Sequence, residues 1–341
     1  MGNKTRVLCA MVILLGCVMV PFQSYAADGI GDTNLFASAV ISDNAYILTG
    51  DRGSIYLSEN KGDTWKAVES HTSYALADVC FPDGSQGWIT GQAGMILYTA
   101  NGGKTWVKQD SNADRYLLAV DFFDAENGCA VGANSTVVVT SDGGRTWKNA
   151  SFDLASDLGG EFSLFDVRML DETHICMVGD LGRIFISDDD GDTWQEAESP
   201  LYDPYMMIGR VLYGLTGDKD MLFAVGIDST LVRSFDMGRT WQEADCGVSG
   251  PELFCVDLCK GSGLAAGSGG ALLQTSDNGM TWKVSRVPEE VTRGWLSGVA
   301  LDVDASGRIH GVIVGQYGAV GIVAGPQVAW QGTSMPKGED K

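Results

Sequence analysis

Residues able to do chemistry are sparse in this chain, and their spacing is wrong for most sites. The three histidines, His71, His174 and His310, stand far apart and make no metal-ligand pattern. His174, just ahead of "ICMVG", reads as a turn residue. Beyond the first 26 residues there are six cysteines, Cys80, Cys129, Cys176, Cys246, Cys255 and Cys259, with no CxxC pair and no interleaved histidine, so a zinc site is not expected. Cys129 and Cys176 occupy places where other copies of an internal repeat carry Ile, Trp, Phe, Leu or Val, and read as small buried hydrophobes. Cys246, Cys255 and Cys259 lie close enough in sequence for an oxidising compartment to permit one disulfide among them. "GSGG" at Gly267–Gly270 has no helix after it and so cannot cradle phosphate in the usual way. No cofactor is expected. Acids are abundant, 44 Asp and Glu against 23 Lys and Arg, so carboxylates will face any cavity by number alone.

One phrase recurs six times: "SENKGDTW", "TANGGKTW", "TSDGGRTW", "SDDDGDTW", "SFDMGRTW" and "TSDNGMTW". Its third residue is Asn60, Asn101, Asp142, Asp189, Asp236 or Asp277, and its last is Trp65, Trp106, Trp147, Trp194, Trp241 or Trp282. A leading Ser or Thr can bond back to local backbone, and the Asn or Asp can accept from amides of a turn. The glycine three before each tryptophan supplies a backbone angle other residues resist. The tryptophan offers a large apolar face. A catalytic group is needed once, whereas a corner brace is needed in every unit, so the phrase is expected to be structural.

The unit around the phrase sets the architecture. Each of these tryptophans lies 15 residues after a glycine (Gly50, Gly91, Gly132, Gly179, Gly226, Gly267), and the same spacing finds a seventh pair, Gly315 and Trp330. The steps between glycines are 41, 41, 47, 47, 41 and 48 residues. Within a unit, short runs rich in Val, Ile, Trp and Thr alternate with Gly, Asp and Asn punctuation: "LADVCF", "GWITG", "MILYT", "TWVKQ". Four antiparallel strands in each unit of this length make a propeller blade. The expected fold is all-β, a seven-bladed propeller over residues 34–331 with the phrase turning between strands three and four and a polar tail at 332–341. Each blade is expected to hold its own four strands, although residues 28–34 could add a closing strand.

The phrase is the Asp-box, or BNR repeat, and the longer units "LADVCFPDGSQGWITGQAGMILYTANGGKTW" and "LLAVDFFDAENGCAVGANSTVVVTSDGGRTW" resemble those of the photosystem II assembly and stability factors. The resemblance spans residues 34–331. It implies a non-catalytic scaffold that binds protein partners and assists assembly or stability of a membrane or envelope complex. Related chains look common in non-photosynthetic bacteria, so the pigment–protein partner does not follow from the family. Sialidases share the box, but their first arginine precedes the first box in an Arg-Ile-Pro-like stretch; residues 27–57 here hold only Arg52, in "GDRG" with no proline beside it. The large Asp-box glucanases use two propellers where this chain has one. A glycan-binding or glycan-cleaving protein, or an accessory subunit of a transport system, remain the alternatives.

Partner contacts are expected on one face. Arg115, Arg210 and Arg293 each shortly precede the first strand of a unit, where loops of different blades emerge together around the channel mouth. They could form a positive collar, a role the assembly-factor resemblance also implies, or could be solvated surface arginines. Their distances to the next repeat glycine, 17, 16 and 22 residues, are unequal. Tyr116, Tyr213 and Trp295 nearby could be core or a contact ring.

Met1–Ala26 has the layout of a secretory signal: Lys4 and Arg6, an apolar run from Val7 to Val20, then Pro21 and "SYA". "LLGC" at Leu14–Cys17 offers a lipoprotein reading instead, with lipid on Cys17. Either way the protein is expected outside the cytoplasm, in the periplasm or extracellular, as a monomer. Removing the signal takes the formal charge from −21 to −23, since it carries two cations and no acid. Such a surface repels nucleic acid.

Overall fold

The computed structural model describes residues 29–150, 162–203, 205–206 and 208–331; the signal segment with Cys17, and the polar tail at 332–341, lie outside them. Seven four-stranded antiparallel sheets follow one another along the chain. The first (innermost) strands are Leu35–Ser42, Leu76–Cys80, Leu117–Phe122, Leu164–Met169, Leu212–Gly217, Leu253–Cys259 and Leu296–Val303. Among the described residues no strand is exchanged at the closure: the last sheet ends with its own fourth strand, Gln327–Trp330. Residues 29–34 form turns instead, and Ile30 is buried in the seam between the last and first blades.

One register repeats around the ring. The leading leucine of each inner strand pairs with the repeat glycine of the second strand, as in Leu35 with Gly50 and Leu164 with Gly179. The carbonyl before that leucine accepts from the amide just after the glycine, as the Tyr116 carbonyl does from Ala133 N at 2.9 Å. This close approach requires glycine, because a Cβ on Gly132 would stand 2.0 Å from the Tyr116 oxygen. All seven inner strands then slip register, leaving the residue after the leucine as a bulge: Phe36, Ala77, Leu118, Phe165, Tyr213, Phe254 and Ser297.

The core lies between blades. Seven apolar clusters fill the seven seams, one for each neighbouring pair of blades. Each box tryptophan belongs to the seam with the preceding blade; Trp106, for example, packs with Ile47 and Ile55 of the first blade. Trp330, which has lost the phrase, keeps that place in the last such seam. Cys129 and Cys176 are fully buried in two of these clusters.

The six boxes are hairpin corners of one design. Thr140 Oγ1 accepts from Gly144 N at 2.9 Å, and Asp142 accepts from Thr146 N at 2.9 Å and Thr146 Oγ1 at 2.7 Å. Gly144 and the residue before it both have positive φ, 76° and 71°. Other boxes place Lys61, Asp190, Met237 or Asn278 at that earlier position, also with positive φ. The turn abuts the preceding blade: a Cβ on Gly62 would lie 2.3 Å from Ile322 Cδ1.

All six described cysteines are free. Cys255 and Cys259 lie four residues apart on one strand, about 13 Å at the usual rise per residue, beyond the roughly 7 Å that a disulfide spans. Cys246 is buried elsewhere, with its thiol donating to the Ser229 carbonyl at 3.2 Å. His174 does sit in a turn, between Asp171 at 2.8 Å and Asp188 at 3.3 Å.

Candidate functional site: the channel and its mouth

The inner strands enclose a cavity of about 1190 Å³, open to solvent. Each inner strand starts at the face that carries the turns between strands two and three, such as residues 50–53, and runs toward the face that carries the boxes. Bulges re-aim side chains, and here all seven bulged residues line the cavity near its turn-face end. Four of them are aromatic. With Tyr116 and Trp295, which directly precede a leading leucine, they set six aromatic side chains at the mouth, each half-buried. Phe36 stacks on Trp295 with centroids 5.9 Å apart, and Tyr213 packs edgewise on Phe165 and Phe254 at 5.2 and 5.4 Å. Burial pushes the Tyr116 phenol up to about 12.

Deeper in, carboxylates replace rings. Inner strands are sheet edges, so their outward amides need partners. Asp78 accepts from Val120 N of the next blade at 2.9 Å, and Asp166 from Leu215 N at 2.6 Å. Asp121 accepts from Met169 N at 2.8 Å, and Asp257 from Leu301 N at 2.8 Å. These four acids stitch four seams from inside the channel. Arg168 stands among them, its Nε donating to the Gly217 carbonyl at 3.2 Å and its guanidinium 3.7 Å from Asp121.

The protein walls disfavour charge on Asp78, Asp166 and Asp257 although the channel reaches them. Burial holds Asp78 up at about 7, against an ordinary 3.8. Asp166 is pushed well above the carboxylate range by burial first and by the Asp78 charge second, and Asp257 is raised by burial. Arg168 is held more firmly protonated, chiefly by Asp121. Asp78, Asp166 and Asp257 each accept two backbone amides. Each of their oxygens thus holds at least one structural bond, and among the described residues no group of three or more His, Cys, Asp or Glu is arranged to hold a metal ion.

The three sequence-selected arginines share a face but not a site. Arg293 borders the mouth and pairs with Glu289 at 3.2 Å. Arg115 pairs with Asp114 at 3.5 Å, and Arg210 reaches outward to Glu243 on the outermost strand of its blade; neither lines the cavity. Tyr116, Tyr213 and Trp295 do line it. Sequence reasoning passed over Phe36, Phe165, Phe254 and the four stitching acids. Their signal was present: an aromatic directly after the leading leucine, and a lone acid in an apolar strand, as in "LADVC" and "CVDLC".

Beside the mouth, the segment before the fifth blade forms a small hairpin, Tyr202–Asp203 with Ile208–Gly209. Its Tyr205 is 96% exposed, and Met206 and Ile208 are exposed as well. The hairpin is anchored by Arg183, which is buried at 2% exposure, lies against the rings of Phe162, Phe185 and Tyr202, and bonds Glu196 through two nitrogens at 2.8 and 3.1 Å.

Comparison with known proteins agrees with the repeat reading. Residues 104–198 match the family model described as Photosynthesis system II assembly factor YCF48. That stretch runs from the box of the second blade through the fourth blade. Two YCF48 structures share the architecture along nearly their whole length: one described as YCF48 bound to D1 peptide (16% identity, TM-score 0.66, 91% of this chain and 97% of that one), and one from Cyanidioschyzon merolae (17%, 0.67, 89% and 98%). A GH74 xyloglucanase from Xanthomonas campestris is similar at 14% identity and TM-score 0.68 over 89% of this chain, which spans about half (53%) of that enzyme. At such identities the likeness to solved structures shows the fold. No curated protein sequence matches the chain.

Proposed function

We propose that this protein is a non-catalytic, exported scaffold that holds an extended segment of a protein partner at its turn-face mouth, and so assists assembly or stability of a membrane or envelope complex, a reading supported by its likeness to the assembly factor YCF48, one structure of which is described as bound to D1 peptide. The observation that carries the reading is the set of six aromatic side chains at the rim of an open channel on a closed, rigid ring. Rings fixed by bulges offer large contact area with little ordering cost on binding. The exposed Tyr205, Met206 and Ile208 extend that face. Of the arginines, Arg293 enters the proposal as a rim contact, while Arg115 and Arg210 would act further out on the same face.

The test is a photo-crosslinking residue placed at Phe254, with the same residue at Phe123, exposed on the box-face end, as reference. The expected adduct at Phe254 is one peptide segment from a subunit of a membrane complex, with none from Phe123. Equal labelling at both positions, or adducts to glycan alone, would overturn the reading.

The likeness to the xyloglucanase gives the glycan reading its one specific support. Against hydrolysis stands the use of the channel acids, since a nucleophile or acid/base pair needs carboxylates free to meet substrate. Turnover of an aryl glycoside or xyloglucan, lost on changing one channel carboxylate, would reverse this ranking.

A further inference from the structure

The cavity lining is lopsided in charge: eight carboxylates (Asp51, Asp78, Asp121, Asp166, Asp218, Glu252, Asp257, Asp302) against two guanidiniums, Arg168 and Arg293. Arg293 is already held on the rim by Glu289. Arg168 shows what the interior accepts, a guanidinium satisfied by a carboxylate on one side and a backbone carbonyl on the other. Acceptor capacity remains around it. Each oxygen of Asp78 and of Asp166 accepts one amide, and a carboxylate oxygen can accept two hydrogen bonds. Above these acids lie the aromatic faces, and a cation passing between them gains from the ring quadrupoles while its alkyl stem covers apolar surface.

We propose that the occupant of the mouth is a basic segment of the protein partner, with one Lys or Arg side chain passing between Phe165, Tyr213 and Phe254 so that its charged head meets the acids around Arg168. The inference rests on the scaffold reading above and deepens it by fixing the partner's chemistry. With Asp78, Asp166 and Asp257 counted as neutral, five lining carboxylates still face two guanidiniums, so an anionic segment would meet like charge, and a purely apolar one would leave the open acceptor positions of Asp78 and Asp166 unused. Because the walls hold Asp78 partly protonated near neutrality, arrival of a cation displaces protons, and affinity for the basic segment rises between about pH 6 and pH 8.

The experiment is calorimetric titration of the full chain with three blocked pentapeptides, Gly-Tyr-X-Tyr-Gly, in which X is arginine, norleucine or glutamate. The arginine peptide is expected to bind at least about tenfold more tightly than the norleucine peptide, with the glutamate peptide weakest, as suits one charge-assisted contact. Its affinity should fall with added salt, and should fall again in Glu252→Gln, a rim change that leaves every blade-stitching bond in place. Asp166→Asn should weaken it further where melting shows that the variant folds. Equal affinity for arginine and norleucine, preference for glutamate, or no binding of the arginine peptide overturns the inference. The mouth reading is judged separately by the Phe254 adduct: it stands if that adduct forms while arginine is not preferred, and falls if the adduct is absent too.

Discussion

Trp65 Nε1 donates to Oε1 of Gln331 at 3.0 Å, joining the first blade's corner to the residue just past the last strand, 266 positions along the chain. The Gln331 amide nitrogen also donates to the Gly62 carbonyl. Gln109 makes a similar pair of bonds at an internal seam, accepting from Trp147 Nε1 at 3.2 Å and donating at 2.9 Å to the carbonyl of Gly143, one residue earlier in the corner than the equivalent of Gly62. The closing seam thus uses a latch like an internal one, and it needs the latch more because no peptide link crosses it. Gln331→Ala is expected to cost about 1–2 kcal/mol, two partly buried hydrogen bonds' worth, read as a lower urea midpoint. An unchanged midpoint would mean that the apolar seam around Tyr46, Val312 and Ile30, with its other bonds such as Tyr46 to His310, closes the ring without the latch.

Arg183 is the second stability determinant open to test. Its guanidinium touches three aromatic rings and bonds Glu196 twice. Arg183→Met keeps much of the volume but strands Glu196, which is 30% exposed and can be partly rescued by water. A loss of about 2–3 kcal/mol is expected, below the range for a sealed pair. Amide exchange should quicken at residues 202–203 and 208–209, because Tyr202 loses its platform. Exchange unaltered there would show that the hairpin is held independently.

The fold was legible because its signals are local and repeated. Glycine at fixed distance before tryptophan, period-two runs and box chemistry each report on one blade, and seven copies average out the irregular ones. The consecutive left-handed residues in the box were hidden, since Lys61, Asp190 and Met237 carry no mark of a positive φ. The mouth was only half legible. Three of its aromatics adjoined the arginines that drew attention, but Phe36, Phe165 and Phe254 read as ordinary strand hydrophobes. Only the bulge after the leading leucine turns them to the channel, and a bulge shows in pairing, not in composition. The stitching acids were hidden for a related reason: Asp78 and Val120 are 42 residues apart, and the bond between them exists only once their two blades pack together.

The channel acids and the box acids should pull stability in opposite directions with pH. Asp78 titrates near 7 when folded and near 3.8 when unfolded, so between those values the folded state holds a proton the unfolded state lacks. Stability therefore falls as pH rises through that window. Box acids are depressed, Asp277 to about 2 by its bonds to Thr281, so their contribution is present above about pH 4 and lost as pH falls toward 2. The melting temperature should peak between about pH 4 and pH 6. Asp78→Asn should flatten the decline between pH 5 and pH 7 whatever it does to absolute stability, and an undiminished slope would show that other groups carry it.

The box itself supplies its own control. Asn60 and Asn101 occupy the place of Asp142 in two blades, accepting from the Thr64 and Thr105 amides through Oδ1 and donating from Nδ2 to the threonine hydroxyls at 2.9 Å. In Asp142 both oxygens accept, and Thr146 donates instead. Reversing one hydroxyl proton converts one network into the other, so Asp142→Asn should change stability by under about 0.5 kcal/mol at neutral pH and weaken the acid sensitivity of that corner. Asp142→Ala removes every one of these bonds, and a loss of about 1–2 kcal/mol follows by analogy with a deleted helix cap. Both variants should bind the arginine peptide like the parent, because the corner lies on the opposite face from the mouth. A box that abolished binding while melting stayed unchanged would be a recognition site rather than a brace, and the assignment of function to the turn face would fail.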